Sequence, residues 1–250
     1  MNKPQPWPYP RLFAHRGGGL FAPENTLAAL RTGAAWGYRG VEFDVKLSAD
    51  DVPILLHDDT LERTTNGRGA VAQTAYRDIA TLDAGGWYSA AFAGEPVPSF
   101  AAAAQLCREL GLVPNIEIKP CPGREVQTGT LVAALAQQMW AEQSVKPLLS
   151  SFSEAALDAA RNAAPALPRG LLVEQIPDDW EQRLRALGGT SFHCNQRGLT
   201  AAQVTAIKQT GFPLLVYTVN DPARATELLA WGVDGLFTDA LDVMAKSFFA

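Results

Sequence analysis

Val41-Glu42-Phe43-Asp44-Val45-Lys46 alternates apolar and charged residues, and a few positions later Val52-Pro53-Ile54-Leu55-Leu56-His57 runs apolar up to a histidine. The polar residues between them, Ser48 to Asp51, suit a turn. Side chains on a strand alternate between faces, so Glu42 and Asp44 share one side while Val41, Phe43 and Val45 share the other. If Leu47 pairs with Val52, the antiparallel register sets His57 opposite Glu42, with Cβ atoms roughly 5 Å apart. Two carboxylates and an imidazole then converge, a grouping suited to a hard cation held by oxygen beside a proton-transfer group. Alone, a Glu-x-Asp pair reads more readily as a solvated hairpin face, so the neighbouring segments decide.

Outward from this stretch the chain alternates strand and helix. Arg11 to His15 reads as a strand that runs into His15-Arg16-Gly17-Gly18-Gly19, where glycines let backbone approach a ligand. Pro23-Glu24-Asn25-Thr26 opens a helix with Leu27, Leu30 and Ala34 at helical spacing, ending near Gly37. Strands are expected at 113–119, 147–152, 169–174, 191–195, 213–219 and 235–238. Helices are expected at 100–111, 125–142, 154–164, 179–187, 201–210 and 223–231, with a last helix at the C-terminus. In the 125–142 helix Val126, Thr130, Leu131 and Leu135 are taken as the core face.

Residues 58–98 interrupt the rhythm. With Asn66-Gly67, Gly85-Gly86, Pro96 and Pro98 they are too long for an ordinary βα loop and read as a small inserted subdomain. Trp87, Tyr88 and Phe92 either wall a substrate entrance or form the insertion's own core. Eight βα units in 250 residues imply an α/β chain closed into a (β/α)8 TIM barrel, one domain over 1–250.

With 26 acidic against 21 basic residues the net charge is −5, which leaves no broad basic surface for a nucleic acid. The Pro-rich start lacks the apolar run of a signal peptide, and no stretch approaches the roughly 20 apolar residues of a membrane span. A soluble cytoplasmic protein with no membrane insertion is expected. Cys107, Cys121 and Cys194 are too scattered for a disulfide framework or a thiolate metal site and are read as reduced, Cys107 within a helix. No Gly-x-Gly-x-x-Gly opens a helix after a strand and no Walker loop is present, so nothing supports a nucleotide cofactor.

Barrel chemistry sits at the carboxyl ends of strands. His15 and Arg16 end the first strand, Glu42 and Asp44 the second, and in Asn115-Ile116-Glu117-Ile118-Lys119 the charged pair Glu117 and Lys119 shares one face of the third. Three grouped carboxylates repel one another unless a cation lies among them, and oxygen donors favour Mg²⁺ or Ca²⁺ over Zn²⁺. With Arg16 and Lys119 beside it, such a cation makes an anion site, and phosphate is the natural ligand.

His15-Arg16-Gly17, Pro23-Glu24-Asn25-Thr26, Glu42-Phe43-Asp44-Val45, His57-Asp58, the 62–67 run Glu-Arg-Thr-Thr-Asn-Gly and Glu117-Ile118-Lys119 together resemble the glycerophosphodiester phosphodiesterases. Leu82 to Trp87 is similar to the family's insertion, and 217–220 and 232–239 to its closing strands. Tyr217 departs from the Trp that many members carry before Thr-Val-Asn. The resemblance implies a compact cytoplasmic bacterial enzyme that hydrolyses deacylated phospholipids to sn-glycerol 3-phosphate and an alcohol, with one divalent cation, Mg²⁺ or Ca²⁺. It implies Glu42, Asp44 and Glu117 as metal ligands, His15 and His57 as the acid/base pair, and Arg16 and Lys119 as phosphate contacts; within the pair, we assign His15 as base and His57 as acid. Alternatives are a phosphodiester lyase that stops at a cyclic phosphate and a non-catalytic binding barrel; no candidate site residue is missing, which counts against the last. His193 is read as a packed histidine, Glu24 and Asn25 as helix-start residues before they are site residues, and Asp221 as a helix cap, while Asp239 could face the pocket.

Overall fold

In the computed structural model, which describes residues 7–249, strands and helices follow in near-strict alternation. The first half comprises β1 (Leu12–Ala14), α1 (Leu27–Ala35), β2 (Gly40–Leu47), β3 (Pro53–Leu55), α2 (Tyr76–Ile79), α3 (Phe100–Leu110), β4 (Val113–Ile118) and α4 (Glu125–Met139). The second comprises β5 (Leu148–Ser151), α5 (Glu154–Ala163), β6 (Arg169–Val173), α6 (Trp180–Ala186), β7 (Ser191–Asn195), α7 (Ala201–Gln209), β8 (Leu214–Tyr217), α8 (Pro222–Trp231), β9 (Gly235–Thr238) and α9 (Leu241–Phe248). Parallel pairings run β1-β9-β8-β7-β6-β5-β4-β2, and β1 pairs with β2 to close the ring. The result is an eight-stranded parallel (β/α)8 barrel, with β3 antiparallel along the end of β2.

Residue parity sets what each strand shows to either side. Leu12, Val41, Phe43, Ile116, Leu149, Leu171, Phe192, Leu214 and Leu236 join buried helix residues in one large core. The opposite parity fills the barrel: Phe13, Leu148, Leu215 and Phe237 form a separate apolar cluster, with Trp7, Tyr9 and Tyr217 against it. Each such side chain, fully buried, contributes about 1.5–3 kcal/mol. Glu42, Asp44, Asn115 and Glu117 have this same interior parity. Every residue of β2 is buried, so its carboxylates are not those of a solvated hairpin.

The hairpin register differs from the expected one by a residue. Leu47 lies opposite Pro53 and Val45 opposite Leu55. Ser48 N–H donates to Val52 O at 3.1 Å across a three-residue loop whose last member, Asp51, has φ 64. A three-residue loop whose last residue is left-handed is a common hairpin connection, and it holds one position more than a two-residue turn, so the slip follows. His57 is therefore not opposite Glu42; β3 ends at Leu55, and His57 lies on the loop beyond it.

The core face of α4 also differs from expectation. Thr128, Gly129, Val132, Ala133 and Ala136 are the buried residues, while Val126 is 63% exposed. Gly129 sits so close to α5 that a Cβ there would lie 2.2 Å from Ala156 O, so contact between the helices rather than side-chain size chose the face. Helix starts follow local chemistry: Thr26, Ser99, Ser153 and Thr200 accept N-terminal amide bonds, and Asp221 does so ahead of Pro222.

Between β3 and α3 the chain forms 3-10 turns and α2 over a small aliphatic cluster containing Ile54, Leu61, Val71, Ile79 and Val97. Trp87, Tyr88 and Phe92 stay outside that cluster and stack edge to face on one another. Fully buried Lys46 reaches Asp59 at 2.7 Å, which compensates its charge and ties the segment to β2.

Candidate active site

The register of β2 on β4 places Glu42 beside Asn115 and Asp44 beside Glu117 at the carboxyl end of the barrel. One carboxylate oxygen from each of Glu42, Asp44 and Glu117 lies within 4.8 Å of the others. His15 follows β1, its Nε2 3.8 Å from Glu42 Oε2 and its Nδ1 2.6 Å from Asp239 Oδ1, just past β9. The loop that carries it packs tightly: a Cβ at Gly19 would come 2.2 Å from Asp239 O, and φ there is +52, so glycine is required.

Arg16 and Asn25 hold left-handed backbones, φ 51 and 59, in the loop from β1 to α1. Such strain in non-glycine residues persists where surrounding contacts fix it. Here Arg16 N–H donates to Glu42 Oε2 at 2.9 Å and Asn25 N–H to Arg16 O at 3.0 Å. Asn25 then grips Asp44 twice, donating from Nδ2 to Oδ2 at 2.8 Å and accepting the Asp44 amide at 3.0 Å. The helix cap falls on Thr26, so Asn25 serves the site. Arg16 Nη1 donates to Glu24 at 2.7 Å, while its buried Nε has no hydrogen-bond partner among the described residues and lies 3.9 Å from Asp44. Lys119 Nζ, 2.8 Å from Glu117 and 3.5 Å from Asp44, completes the cationic flank.

His57 comes to the group from outside the barrel mouth. Its Nδ1 is 2.6 Å from Asp58 Oδ1, and Asp44, Arg16 and Lys119 are the charges that act on it. The cleft at the mouth, about 310 Å³ counted to its open side, is lined by His15, Glu42, Asn115, Glu117, Phe152, Leu172, Tyr217 and Phe237. A second cleft on the other side of His15 is walled by Leu20, Trp87 and Tyr88. Tyr217 turns its hydroxyl to Val173 O at 2.7 Å. His193 lies deeper, bonded to Ser191 Oγ at 2.9 Å and pushed down to about 3 by burial, and it lines neither cleft. Asp239, expected as a residue that could face the pocket, does so as the partner of His15, and Asp58 and Arg63, for which no role was expected, join the site as partners of His57 and of Glu24.

Electrostatics separates the three acids. Burial and the neighbouring Asp44 raise Glu42 to about 8. The same two causes raise Glu117. Asp44 is buried too, yet Lys119, His57, Arg16 and Asn25 hold it at about 2. Burial disfavours charge on His15, but Asp239 and Glu42 outweigh it and raise its proton affinity. Burial, with Arg16 and Lys119, lowers that of His57 despite Asp44 and Asp58. Two carboxyls thus resist ionising beside a third. All-oxygen donors with frustrated negative charge fit a hard divalent cation.

The scaffold recurs in known proteins. A solved structure of an Oleispira antarctica phosphodiesterase in complex with the product sn-glycerol-3-phosphate matches with TM-score 0.91 at 35% identity, covering 97% of this chain and 98% of that one. A glycerophosphodiester phosphodiesterase from Agrobacterium tumefaciens matches with TM-score 0.81 at 30% identity, covering 94% and 99%. By sequence, a glycerophosphodiester phosphodiesterase from Caldanaerobacter subterraneus subsp. tengcongensis is 33% identical over 233 residues, 91% of this chain and 93% of that protein. The profile of the glycerophosphoryl diester phosphodiesterase family matches residues 15–243, a span that takes in every candidate site residue, and the chain belongs to that family.

Proposed function

We propose that this single barrel domain, with 58–98 as its inserted part, hydrolyses glycerophosphodiesters to sn-glycerol 3-phosphate and an alcohol. The observation that carries the reading is the carboxylate triad within 4.8 Å, with Arg16 and Lys119 on its flanks, in a member of this family. The Oleispira complex with sn-glycerol-3-phosphate supports the product. Glu42, Asp44 and Glu117 would hold one divalent cation, Mg²⁺ or Ca²⁺. When bound it supplies positive charge that polarises the phosphodiester and acidifies a nearby hydroxyl.

The chain's own residues do the rest. Arg16 Nε, buried without a partner among the described residues, and Lys119 Nζ donate to non-bridging phosphate oxygens. Asp239 and Asp58 occupy the Nδ1 side of His15 and His57, which leaves each Nε2 to exchange protons with the attacking and departing oxygens. In the polypeptide alone His15 holds its proton more tightly than His57, the reverse of a His15 base and a His57 acid. A cation at Glu42 would remove part of the support for that proton, so this order belongs to the ion-free chain. The three buried, unpaired cysteines support the cytoplasm as the working compartment.

The test is a coupled assay for sn-glycerol 3-phosphate on choline, ethanolamine and glycerol diesters, with Mg²⁺ or Ca²⁺ and with chelator. Free glycerol 3-phosphate should form with cation, stop with chelator, and be lost in Glu42→Ala. Accumulation of a cyclic phosphate would instead identify a lyase, and cation-dependent binding without turnover a non-catalytic barrel.

A further inference from the structure

Arg63, from the inserted segment, donates from all three guanidinium nitrogens. Nε and Nη2 reach Asp58 Oδ2 and Oδ1 at 2.6 and 2.9 Å, and Nη1 and Nη2 reach Glu24 Oε2 and Oε1 at 2.8 Å each. Asp58 Oδ1 meets His57 Nδ1 at 2.6 Å, and Glu24 Oε1 accepts from Arg16 at 2.7 Å. A chain of alternating charge, Arg16 to Glu24 to Arg63 to Asp58 to His57, therefore joins the cation beside the acid cluster to one of the two imidazoles.

Stability does not explain such a contact. The Arg63 side chain is 43% exposed, and exposed ion pairs add little to folding. Position does explain it. His57 lies beyond the three-residue β3, and Leu56 N–H to Asp44 O at 3.2 Å is the ladder contact next before it. Asp58 is its sequence neighbour on the same loop, so that carboxylate fixes nothing unless it is itself fixed. His15 differs, because Asp239 follows the barrel strand β9 and is held further by Asn220 at 3.3 Å. A planar fork that bridges two carboxylates supplies the missing restraint, and an ammonium group cannot reproduce it.

We propose that Arg63 is a positioning residue: it clamps Asp58 so that His57 keeps one ring orientation and one tautomer, and through Glu24 it sets that imidazole in the same frame as Arg16. The role rests on the phosphodiesterase reading above, but the clamp itself is observable without substrate.

The experiment compares the full chain with Arg63→Met, Arg63→Lys, Asp58→Asn and the double variant Arg63→Met/Asp58→Asn, on a glycerophosphodiester at saturating cation. A misplaced proton-transfer group costs on the order of 10²-fold, so kcat of Arg63→Met should fall by about that much. KM and the half-activating cation concentration should stay within a factor of about three, since uniform substrate binding is not what is lost. Arg63→Lys should recover little. The double variant should be no slower than Asp58→Asn alone, because both changes cut one chain. Nitrogen-15 NMR of the histidine side chains should show one Nδ1–H tautomer for His57 in the parent and tautomer averaging in Arg63→Met; Asp58→Asn gives the same readout if Arg63→Met does not fold. Additive losses in the double variant, a loss confined to KM, or an unchanged His57 tautomer would each overturn the proposal. Should no form turn over any diester, the tautomer result still judges the clamp while the functional reading fails on its own.

Discussion

Asn25 contributes no oxygen to the acid cluster, yet both ends of its amide are spent on Asp44, one on the side chain and one on the backbone. Partners of this kind orient a metal-binding carboxylate, and their loss commonly costs about 10–100-fold in metal affinity. Asn25→Ala should therefore raise the half-activating cation concentration by roughly that factor, while kcat returns close to the parent value once cation is saturating. A cation titration of activity, repeated calorimetrically without substrate, checks this. An unchanged half-saturation would show that Asp44 needs no such help. The sequence did not disclose the role, because Pro-Glu-Asn-Thr has the local pattern of a helix start and the partner is 19 residues away on another strand. Capping is legible from neighbours; a contact between loop and strand is not. The three carboxylates and His15 were legible because strand parity and barrel polarity are periodic properties.

Strand and helix order followed from periodicity, and the cap at Asp221 from its place before Pro222. Two features of the elements escaped it. The β2–β3 register depends on whether one turn residue adopts a left-handed backbone, as Asp51 does, and Asp is compatible with either outcome. The buried face of α4 escaped because Val126 is exposed and Leu131 and Leu135 are only partly buried, whereas small residues mark the close approach to α5. That packing makes a prediction with competing signs. Replacing an interior helix glycine by alanine is favoured by about 1 kcal/mol of propensity. At Gly129 the new Cβ would meet a carbonyl oxygen at 2.2 Å, and backbone cannot swing aside as a flexible side chain can. Overpacking of about 1–3 kcal/mol should win, so Gly129→Ala should lower the midpoint of urea unfolding. Turnover per folded molecule should be unchanged, since α4 contributes no residue to the acid cluster. A midpoint that rises would mean the two helices part at no cost.

For the whole molecule, closing the barrel forces three acids into one buried place, and the consequence is a stability that depends on pH and cation together. Glu42, ordinarily near 4.5, is raised to about 8, and Glu117 is raised as well. Between those values the ion-free folded chain holds protons that the unfolded chain has released, so its stability falls as pH rises through the window. His15, also raised, acts in the same direction: its contribution is present below its ordinary value and is lost as pH rises through the folded one. His57, lowered, opposes them near neutrality. Asp44, held at about 2, stabilises above its ordinary 3.8 and loses that contribution as pH falls, which marks the acid side of the window. A divalent cation requires the carboxylates ionised, so binding must expel protons and tighten as pH rises. At 100 times its dissociation constant the ion adds about 2.7 kcal/mol, and for a chain of this length that is a Tm rise of roughly 5–10 °C. Chelator-treated protein should thus melt lower at about pH 8 than at about pH 5.5, with the cation-induced rise larger at the higher pH. Glu42→Gln should flatten the first trend and diminish the second, because it removes both the displaced proton and a ligand. Scanning calorimetry at the two pH values, with and without cation, reads both trends; a chelated protein that gains stability as pH rises, with a cation effect indifferent to pH, would mean that the acids are already ionised without an ion among them.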